Sequence, residues 1–188
     1  RHTPVKINGK GDIPQNAKII SSDGSEGTFS AIDSEGNLYT WGKNTYGQVG
    51  DGTTTNRHTP VKINGKGDIP QNAKVISSSS AGVCSAVDSE GNLYTWGCNI
   101  EGQVGDGTNT NRTTPVKING KGAIPRNAKI IASSSPGSSN SAVDSEGNLY
   151  SFGKYLSNGT KNWSSLPVET LLTMDYELVE KSSDDDNY

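Results

Sequence analysis

The chain has 188 residues and a formal net charge of −3; 23 of its residues are glycine, and only 30% are apolar or aromatic. This composition predicts short strands and many turns, and it lacks the basic stripe that a general binder of the nucleic-acid backbone needs. No apolar run approaches the roughly 20 residues of a membrane span. We therefore expect neither direct nucleic-acid contact nor a membrane segment in this stretch.

One repeated sequence motif dominates the chain: Asn-Leu-Tyr-Thr-Trp-Gly, followed after a short gap by Gly-Gln-Val-Gly-Asp-Gly. It occurs at residues 37–52 and again at residues 92–107, and a third copy at residues 148–153 lacks the glycine-rich half. A fixed period of this size indicates a repeat architecture. The two cysteines, Cys84 and Cys98, both lie in the middle repeat and are absent from the equivalent positions of the other two, so the repeat implies no disulfide or zinc lattice.

Each period predicts four short strands, which in the middle copy cover residues 60–64, 73–77, 83–88 and 93–97. Pro60 suits the first residue of a strand at an outer edge, because proline cannot donate to a ladder. The text Asp-Ser-Glu-Gly-Asn then supplies turn residues between the third and fourth strands. Four antiparallel strands in each period describe the blade of a β-propeller.

The predicted fold is therefore all-β, with three four-stranded antiparallel blades that make a partial propeller in residues 1–153. The blades are predicted at residues 4–42, 60–97 and 115–153. Residues 154–188 are predicted to form a partial fourth repeat or a cap with an acidic tail. Within them, residues 166–170 either begin a fourth blade or complete a sheet elsewhere, and residues 170–181 are compatible with a short helix.

The ordered texts Leu-Tyr-Thr-Trp-Gly, Gly-Gln-Val-Gly-Asp-Gly and Thr-Pro-Val, preceded by Ser-Ala-Val-Asp-Ser-Glu-Gly, resemble the regulator of chromosome condensation repeat. The resemblance covers roughly residues 1–153. It implies a propeller of usually seven blades, with roles that range from guanine-nucleotide exchange on the small GTPase Ran to plain protein binding. Residues 78–84 depart from the family's usual Gly-Gly and His, and nothing in the sequence resembles the exchange factor's long wedge hairpin or a basic N-terminal tail.

Three blades fall short of a ring of the usual family size. The terminal blades are therefore expected to leave apolar faces open, or to cover them by self-association or with the segment after Phe152. The repeated aromatic residues are expected to pack between blades rather than to form a ligand cage; they are Tyr39, Tyr94, Tyr150, Trp41, Trp96 and Phe152.

The sequence predicts no catalytic, metal or cofactor site. Gly47, Gly50 and Gly52 are not followed by the Lys-Ser/Thr of a phosphate loop. The Asp-Ser-Glu-Gly text lacks the alternating oxygens and the later Glu of an EF-hand, so a hairpin turn is favoured. The two histidines and the recurrent serines have no fixed acid or base at a suggestive spacing; they are His2, His58, Ser30, Ser85 and Ser141.

Where the copies are nearly identical, individual recognition has to come from positions that differ. The window between the second and third predicted strands differs most, and it is predicted to be a rim loop. Such a loop either contacts a protein partner or merely tolerates changes of sequence. The predicted contact residues are Asp23, Glu26, Phe29, Val83 and Asn140. A small GTPase is the partner that the family resemblance suggests.

Two classes of function stay open. The first is a non-catalytic binding module, and the alternative is a guanine-nucleotide exchange factor that acts on a small GTPase without covalent chemistry of its own. Near-identical repeats of this kind also suit a bacterial effector that is secreted into a host cell, although the sequence leaves the compartment unknown.

Overall fold

The structure, a computed structural model, describes residues 6–25, 27–134, 138–154 and 164–170. Within these ranges the chain forms twelve β-strands and no helix that could cross a membrane. The strands are β1 Ile19–Ser25, β2 Thr28–Asp33, β3 Leu38–Gly42, β4 Arg57–Lys62, β5 Val75–Ala81, β6 Val83–Asp88, β7 Leu93–Gly97, β8 Arg112–Lys117, β9 Ile130–Ser134, β10 Ser139–Asp144, β11 Leu149–Gly153 and β12 Ser164–Thr170.

The strands form three antiparallel sheets of four, in the orders β1-β2-β3-β4, β5-β6-β7-β8 and β9-β10-β11-β12. The first strands of successive sheets adjoin one another, β1 beside β5 and β5 beside β9. These three strands are therefore the innermost of their sheets, as in consecutive propeller blades around one axis. The prediction of an all-β partial propeller with three four-stranded blades is confirmed.

The outer strand of each sheet is formed by residues that were predicted to start the next repeat. Tyr39 of β3 pairs with Lys62 of β4, and the Ile63 amide donates to the Leu38 carbonyl at 2.9 Å. The strand that contains Pro60 lies at an outer edge as predicted, but it completes the first sheet instead of opening the second. The chain returns antiparallel to β3 and satisfies backbone groups that would otherwise lack partners.

The structure accordingly groups the strands differently from the predicted blade ranges. The sheets span residues 19–62, 75–117 and 130–170 instead of 4–42, 60–97 and 115–153. In the third sheet, β12 pairs with β11 and sets Thr170 opposite Leu149. Residues 166–170 thus complete a sheet, which was one of the two alternatives. The helix predicted over residues 170–181 lies outside the described residues, apart from Thr170 at the end of β12.

Period-two alternation gives each blade two apolar faces that pack on its neighbours. In β7, Tyr94 and Trp96 face the first blade, in a buried cluster that includes Ile32 and Leu38 of that blade. Leu93, one residue away, belongs instead to the cluster shared with the third blade. The core of the molecule therefore lies between blades, and no blade has a complete core of its own.

Antiparallel order places the connecting segments at two opposite rims. We call one the loop rim: there the first strand of each sheet leads to the second, and it carries the long loops after β3 and β7, residues 43–56 and 98–111. We call the other the connection rim: it carries the turns at residues 34–37, 89–92 and 145–148, and the segments that enter each blade. The entering segments are residues 6–18, 63–74 and 118–129.

Candidate protein-binding surface

Each long loop of the loop rim closes on one buried asparagine. The Asn44 side-chain amide donates to the carbonyls of Thr53 and Thr55, both at 3.0 Å, while its oxygen accepts from the Val49 amide at 2.9 Å. Asn99 makes the same contacts in the second loop, and both side chains are fully buried. Buried polar groups are costly to leave without hydrogen-bond partners, so these contacts fix the backbone of each loop. Because the contacts of Asn44 and Asn99 are the same, the two loops have the same backbone conformation.

A carboxylate and an arginine fix the far half of each loop. Asp51 accepts from the amide of Thr53 at 2.9 Å and from its hydroxyl at 2.7 Å, and forms an ion pair with Arg57. Burial opposes ionisation, but the hydrogen bonds from Thr53 and Arg57 outweigh it and hold the pKa of Asp51 below its usual value. Asp106 and Arg112 repeat this arrangement, and the pKa of Asp106 is lowered for the same reasons.

The glycine-rich part of each loop covers the aromatic ring of the next blade. The Trp96 indole donates to the Gln48 carbonyl at 2.8 Å, and the Cys84 thiol donates to the same oxygen at 3.1 Å. Gly50 has a φ of +81°, and a Cβ at this position would lie 2.7 Å from the indole nitrogen. Only glycine permits this approach, because a side chain would meet both the ring and an unfavourable backbone conformation.

The same cover recurs over the third blade, where Gly105 lies against the fully buried ring of Phe152. Packing between blades, which the sequence predicted for the repeated aromatic residues, is thus confirmed for Trp96 and Phe152. This packing also explains the glycines of the Gly-Gln-Val-Gly-Asp-Gly motif, which turn the backbone and allow it to approach the ring closely.

The first blade differs, because within the described residues no glycine loop covers its Trp41. Trp41 is partly exposed and stacks on Phe29 of the neighbouring strand, with ring centroids 5.9 Å apart and an interplanar angle of 22°. Phe29 itself is 45% exposed. The two rings form an aromatic surface on the open face of the first blade.

The tips of the long loops expose large apolar side chains where the copies differ. Thr45 and Tyr46 precede Gly47 in the first loop, while Ile100 and Glu101 hold the same places in the second. Tyr46 is 40% exposed and Ile100 is 62% exposed. Neither residue is in the predicted contact set, although both lie at positions that differ between copies, the signal from which that set was chosen.

The structure places the predicted contact residues apart and mostly in strands. The window that was expected to be a rim loop continues β1 and β5 to short turns, so that the expectation of a loop is wrong. The serine-rich residues there pair in a regular β-ladder, with Asp23 of β1 opposite Ser30 of β2. Glu26 lies outside the described residues.

The other predicted contact residues lie in the second strands of their blades. Phe29 belongs to the exposed aromatic pair described above. Val83 is fully buried in β6, and Asn140 is 1% exposed in β10. These two side chains therefore face the packed interior and offer a partner no surface in this arrangement. A binding role for the predicted set stays a prediction.

On the connection rim, each blade has a clamp between a turn and a tyrosine. Asp33 accepts from the amides of Glu35 and Asn37 at 2.9 and 3.0 Å, and the Tyr39 hydroxyl donates to it at 2.9 Å. The pairs Asp88–Tyr94 and Asp144–Tyr150 repeat the contact. The hairpin-turn interpretation of the Asp-Ser-Glu-Gly text is confirmed, since the carboxylate oxygens bind the turn itself.

In the first and third blades the clamp shifts the pKa values of both partners. Burial opposes ionisation of Asp33 and Asp144, but the hydrogen bonds from the turn and the tyrosine lower their pKa values overall. Burial and the neighbouring carboxylate of Asp144 raise the pKa of Tyr150 to about 12. Beside each clamp lies a polar cleft of the same composition, Pro-Asn-Ala-Lys facing Asp-Ser-Glu. In the part of the chain that the structure describes, no three His, Cys, Asp or Glu side chains form a group that could hold a metal ion.

The comparisons with known proteins agree with this architecture. A family model for the regulator of chromosome condensation repeat matches residues 35–87 and 90–140, more than half of the chain. The Protein RCC2 homolog of Danio rerio is 35% identical over 125 residues, which cover 65% of this chain and 23% of that protein.

Solved structures show the same fold. Human WBSCR16 superposes with a TM-score of 0.72 at 20% identity, over 82% of this chain and 38% of that one. Prp20p from Saccharomyces cerevisiae gives 0.66 at 18% identity, over 80% of this chain and 38% of that one. This chain thus spans less than half the length of each of these three relatives. By its two matched repeats, the chain belongs to the regulator of chromosome condensation repeat family.

Proposed function

We propose that this chain is a non-catalytic β-propeller module that binds a protein partner through its loop rim. One observation carries the proposal: two loops with the same fixed backbone present different large side chains at their tips, Tyr46 in one and Ile100 in the other. Shared residues hold the loops, and unshared residues are exposed at their ends.

Such an arrangement suits binding energetically. Asn44, Asn99 and the two Asp–Arg pairs already fix the loop backbones, so a partner would order little more than side chains on association. Tyrosine is among the residues that most often dominate binding energy at protein interfaces. The rim pair between Glu101 and Lys154, at 3.5 Å, is well exposed and would contribute more to orientation than to affinity.

A small GTPase is the first partner to test. The family resemblance suggests this class, and Prp20p, a fold relative, was characterised for its binding to Gsp1p and histones. The net charge of −3 favours a protein over a nucleic-acid partner.

The test measures binding of the full chain to Ran and to a panel of other small GTPases by biolayer interferometry. Tyr46→Ser combined with Ile100→Ser should weaken binding at least tenfold, because it removes both apolar tips. Ile76→Ser is the matched control: Ile76 is 56% exposed on the opposite rim, and its change should leave affinity within twofold. Equal losses in both variants would contradict binding through the loop rim.

A nucleotide-release assay distinguishes the proposed binding module from the alternative, a guanine-nucleotide exchange factor. Each GTPase is loaded with a fluorescent nucleotide, and its release is followed with and without the full chain. We expect binding without faster release. Release accelerated by tenfold or more, and abolished by the Tyr46→Ser, Ile100→Ser variant, would favour the exchange factor.

A further inference from the structure

The innermost strand of every blade contains the same β-bulge, and the bulged residue is always isoleucine. In β1 the ladder to β2 skips Ile20 between Ile19 and Ser21. The ladders of β5 and β9 skip Ile76 and Ile131 in the same way. A bulge turns one side chain away from the regular alternation. In the second and third blades the residue before the bulge is buried, and in the first it is half-buried, whereas the bulged isoleucine is exposed in all three.

The three bulged residues form an exposed apolar stripe. Ile20, Ile76 and Ile131 are 61%, 56% and 57% exposed, although Val75 and Ile130, which precede two of them, are 1% exposed. Because β1, β5 and β9 adjoin, the three side chains follow one another along the inner surface next to the connection rim. A feature repeated in every blade, with exposed apolar atoms each time, is typical of a surface that something covers.

Basic side chains lie beside this stripe in every blade, each across a polar cleft from an Asp-Ser-Glu turn, and the excess of cations is greatest at the third blade. Lys18, Lys74 and Lys129 stand two residues before the bulges; all three are exposed, and none forms an ion pair among the described residues. The entering segment of the third blade also carries Lys121 and Arg126. It has no carboxylate, since alanine stands at position 123 where the other two segments have aspartate.

The chain itself contains a segment of complementary chemistry. Residues 171–188 carry six carboxylates and one lysine, a formal charge of −5; as the whole chain has −3, residues 1–170 carry +2. The same segment contains Leu171, Leu172, Leu178 and Val179. Apolar side chains followed by a run of acids match an apolar stripe with basic neighbours.

The segment also starts in the right place. It follows Thr170, which pairs with Leu149 at the connection rim. Strands lie about 4.8 Å apart, so roughly 14 Å separates β12 from β9, three strands further in. Eighteen residues reach about 27 Å even when helical and about 60 Å when extended. Ile131 and Ile76 are therefore within reach.

We propose that residues 171–188 bind the connection rim of their own chain, with apolar side chains on Ile131 and Ile76 and carboxylates beside Lys121 and Lys129. The bound segment covers the inner apolar stripe of the second and third blades. A protein that binds at this rim has to displace it.

Zero-length cross-linking tests the placement. The full chain is treated with a carbodiimide that joins carboxylates to amines, and the monomer is digested and analysed by mass spectrometry. Carboxylates of residues 175–186 should join Lys121 and Lys129 with at least fivefold the yield found at Lys43, which is exposed on the loop rim. Equal yields at Lys43 and Lys129 would overturn the proposal.

Matched variants test the apolar contact. Ile76→Ser with Ile131→Ser should lower the yield at Lys129 at least threefold, while Ile100→Ser, which changes an isoleucine of similar exposure on the loop rim, should leave it unchanged. A second variant leaves the described fold untouched: with Asp184, Asp185 and Asp186 all changed to Asn, joins from Glu177 and Glu180 to Lys129 should fall at least twofold. An unchanged yield in either variant set refutes the binding mode.

Discussion

The first and second blades share almost the same residues and differ in what covers them. β3 and β7 both read Leu-Tyr-Thr-Trp-Gly, yet Trp96 is 1% exposed while Trp41 is partly exposed. The ring of Trp96 lies under Gly50 and donates to Gln48, whereas that of Trp41 stacks on Phe29. The comparison shows that burial of the aromatic ring depends on the glycine loop of the preceding blade and not on the strand that carries the ring.

The largest effect should come from removing the covered ring. Trp96→Ala leaves a cavity between two blades and should lower the free energy of unfolding by about 3–5 kcal/mol. Trp41→Ala removes the same ring from an open face and should cost less than half as much. Urea unfolding of the two variants, followed by circular dichroism, makes the comparison; equal losses would mean that Trp41 is covered in solution.

The cover can be disturbed from the other side. Gly50→Ala forces a methyl group against the indole of Trp96 and should destabilise by about 2–4 kcal/mol, from overpacking together with a strained backbone. Gly52→Ala is the matched control, since its φ of +90° is also positive but a Cβ there meets nothing closer than 3.7 Å. It should cost about 1 kcal/mol. Similar melting temperatures for the two variants would argue against close contact at Gly50.

Acid should weaken both loops by a smaller amount. The folded-state pKa values of Asp51 and Asp106 lie below the usual value near 4, so their stabilisation is complete above that value and is lost as the pH falls through the lowered one. Melting temperatures measured from pH 6 to pH 2.5 should therefore fall mainly below pH 4.

Arginine variants sharpen the acid prediction. Arg57→Gln and Arg112→Gln each remove the cation but keep the threonine hydrogen bonds. Both should shift the acid transition upward by similar amounts, because the two loops have the same contacts. A transition that stays in place would mean that threonine alone lowers the two pKa values.

The smallest effect on stability is expected for the residues first predicted to bind a partner. Asp23→Ser with Glu26→Ser should change the melting temperature by less than about 2 °C, because the sequence predicts both side chains to be exposed and most surface substitutions have small effects. The same double variant should weaken partner capture, while Trp96→Ala should do so only as far as it unfolds. Early melting of the double variant, together with lost binding by folded Trp96→Ala, would invert these roles.

Part of this fold could be predicted from the sequence because it depends on local chemistry. Alternation marked the strands, Asp-Ser-Glu-Gly-Asn marked the turn that Asp33 now closes, and the period gave the number of blades. The assignment of strands to blades could not be predicted in this way. A periodic sequence has no natural starting point, so the text around Pro60 reads equally well as the start of one unit or the end of another.

The residues of the candidate surface were harder to predict from the sequence than the strands were. In Ile-Ile and Val-Ile pairs, both residues look like core, and only the ladder register shows that Ile20, Ile76 and Ile131 point outward. The serine-rich window between Ser21 and Phe29 was predicted to be a loop, because serine is common in turns. Serine also occurs in paired strands, so its presence alone does not distinguish the two. Exposure of Tyr46 and Ile100 depends on the shape of a loop that Asn44 and Asn99 fix from within.

The offset between the sequence period and the blade bears on how such a chain can change length. Every window of one period contains the four strands of a blade in some circular order, split at most once between two neighbouring sheets. A gene duplication that copies one period therefore adds a whole blade wherever its endpoints fall, without orphaning a strand. Residues 2–18 and 58–74 are identical, as an unedited copy would leave them. Blade number in this architecture can thus change by recombination in single steps, each of which preserves the strand pairings of every sheet.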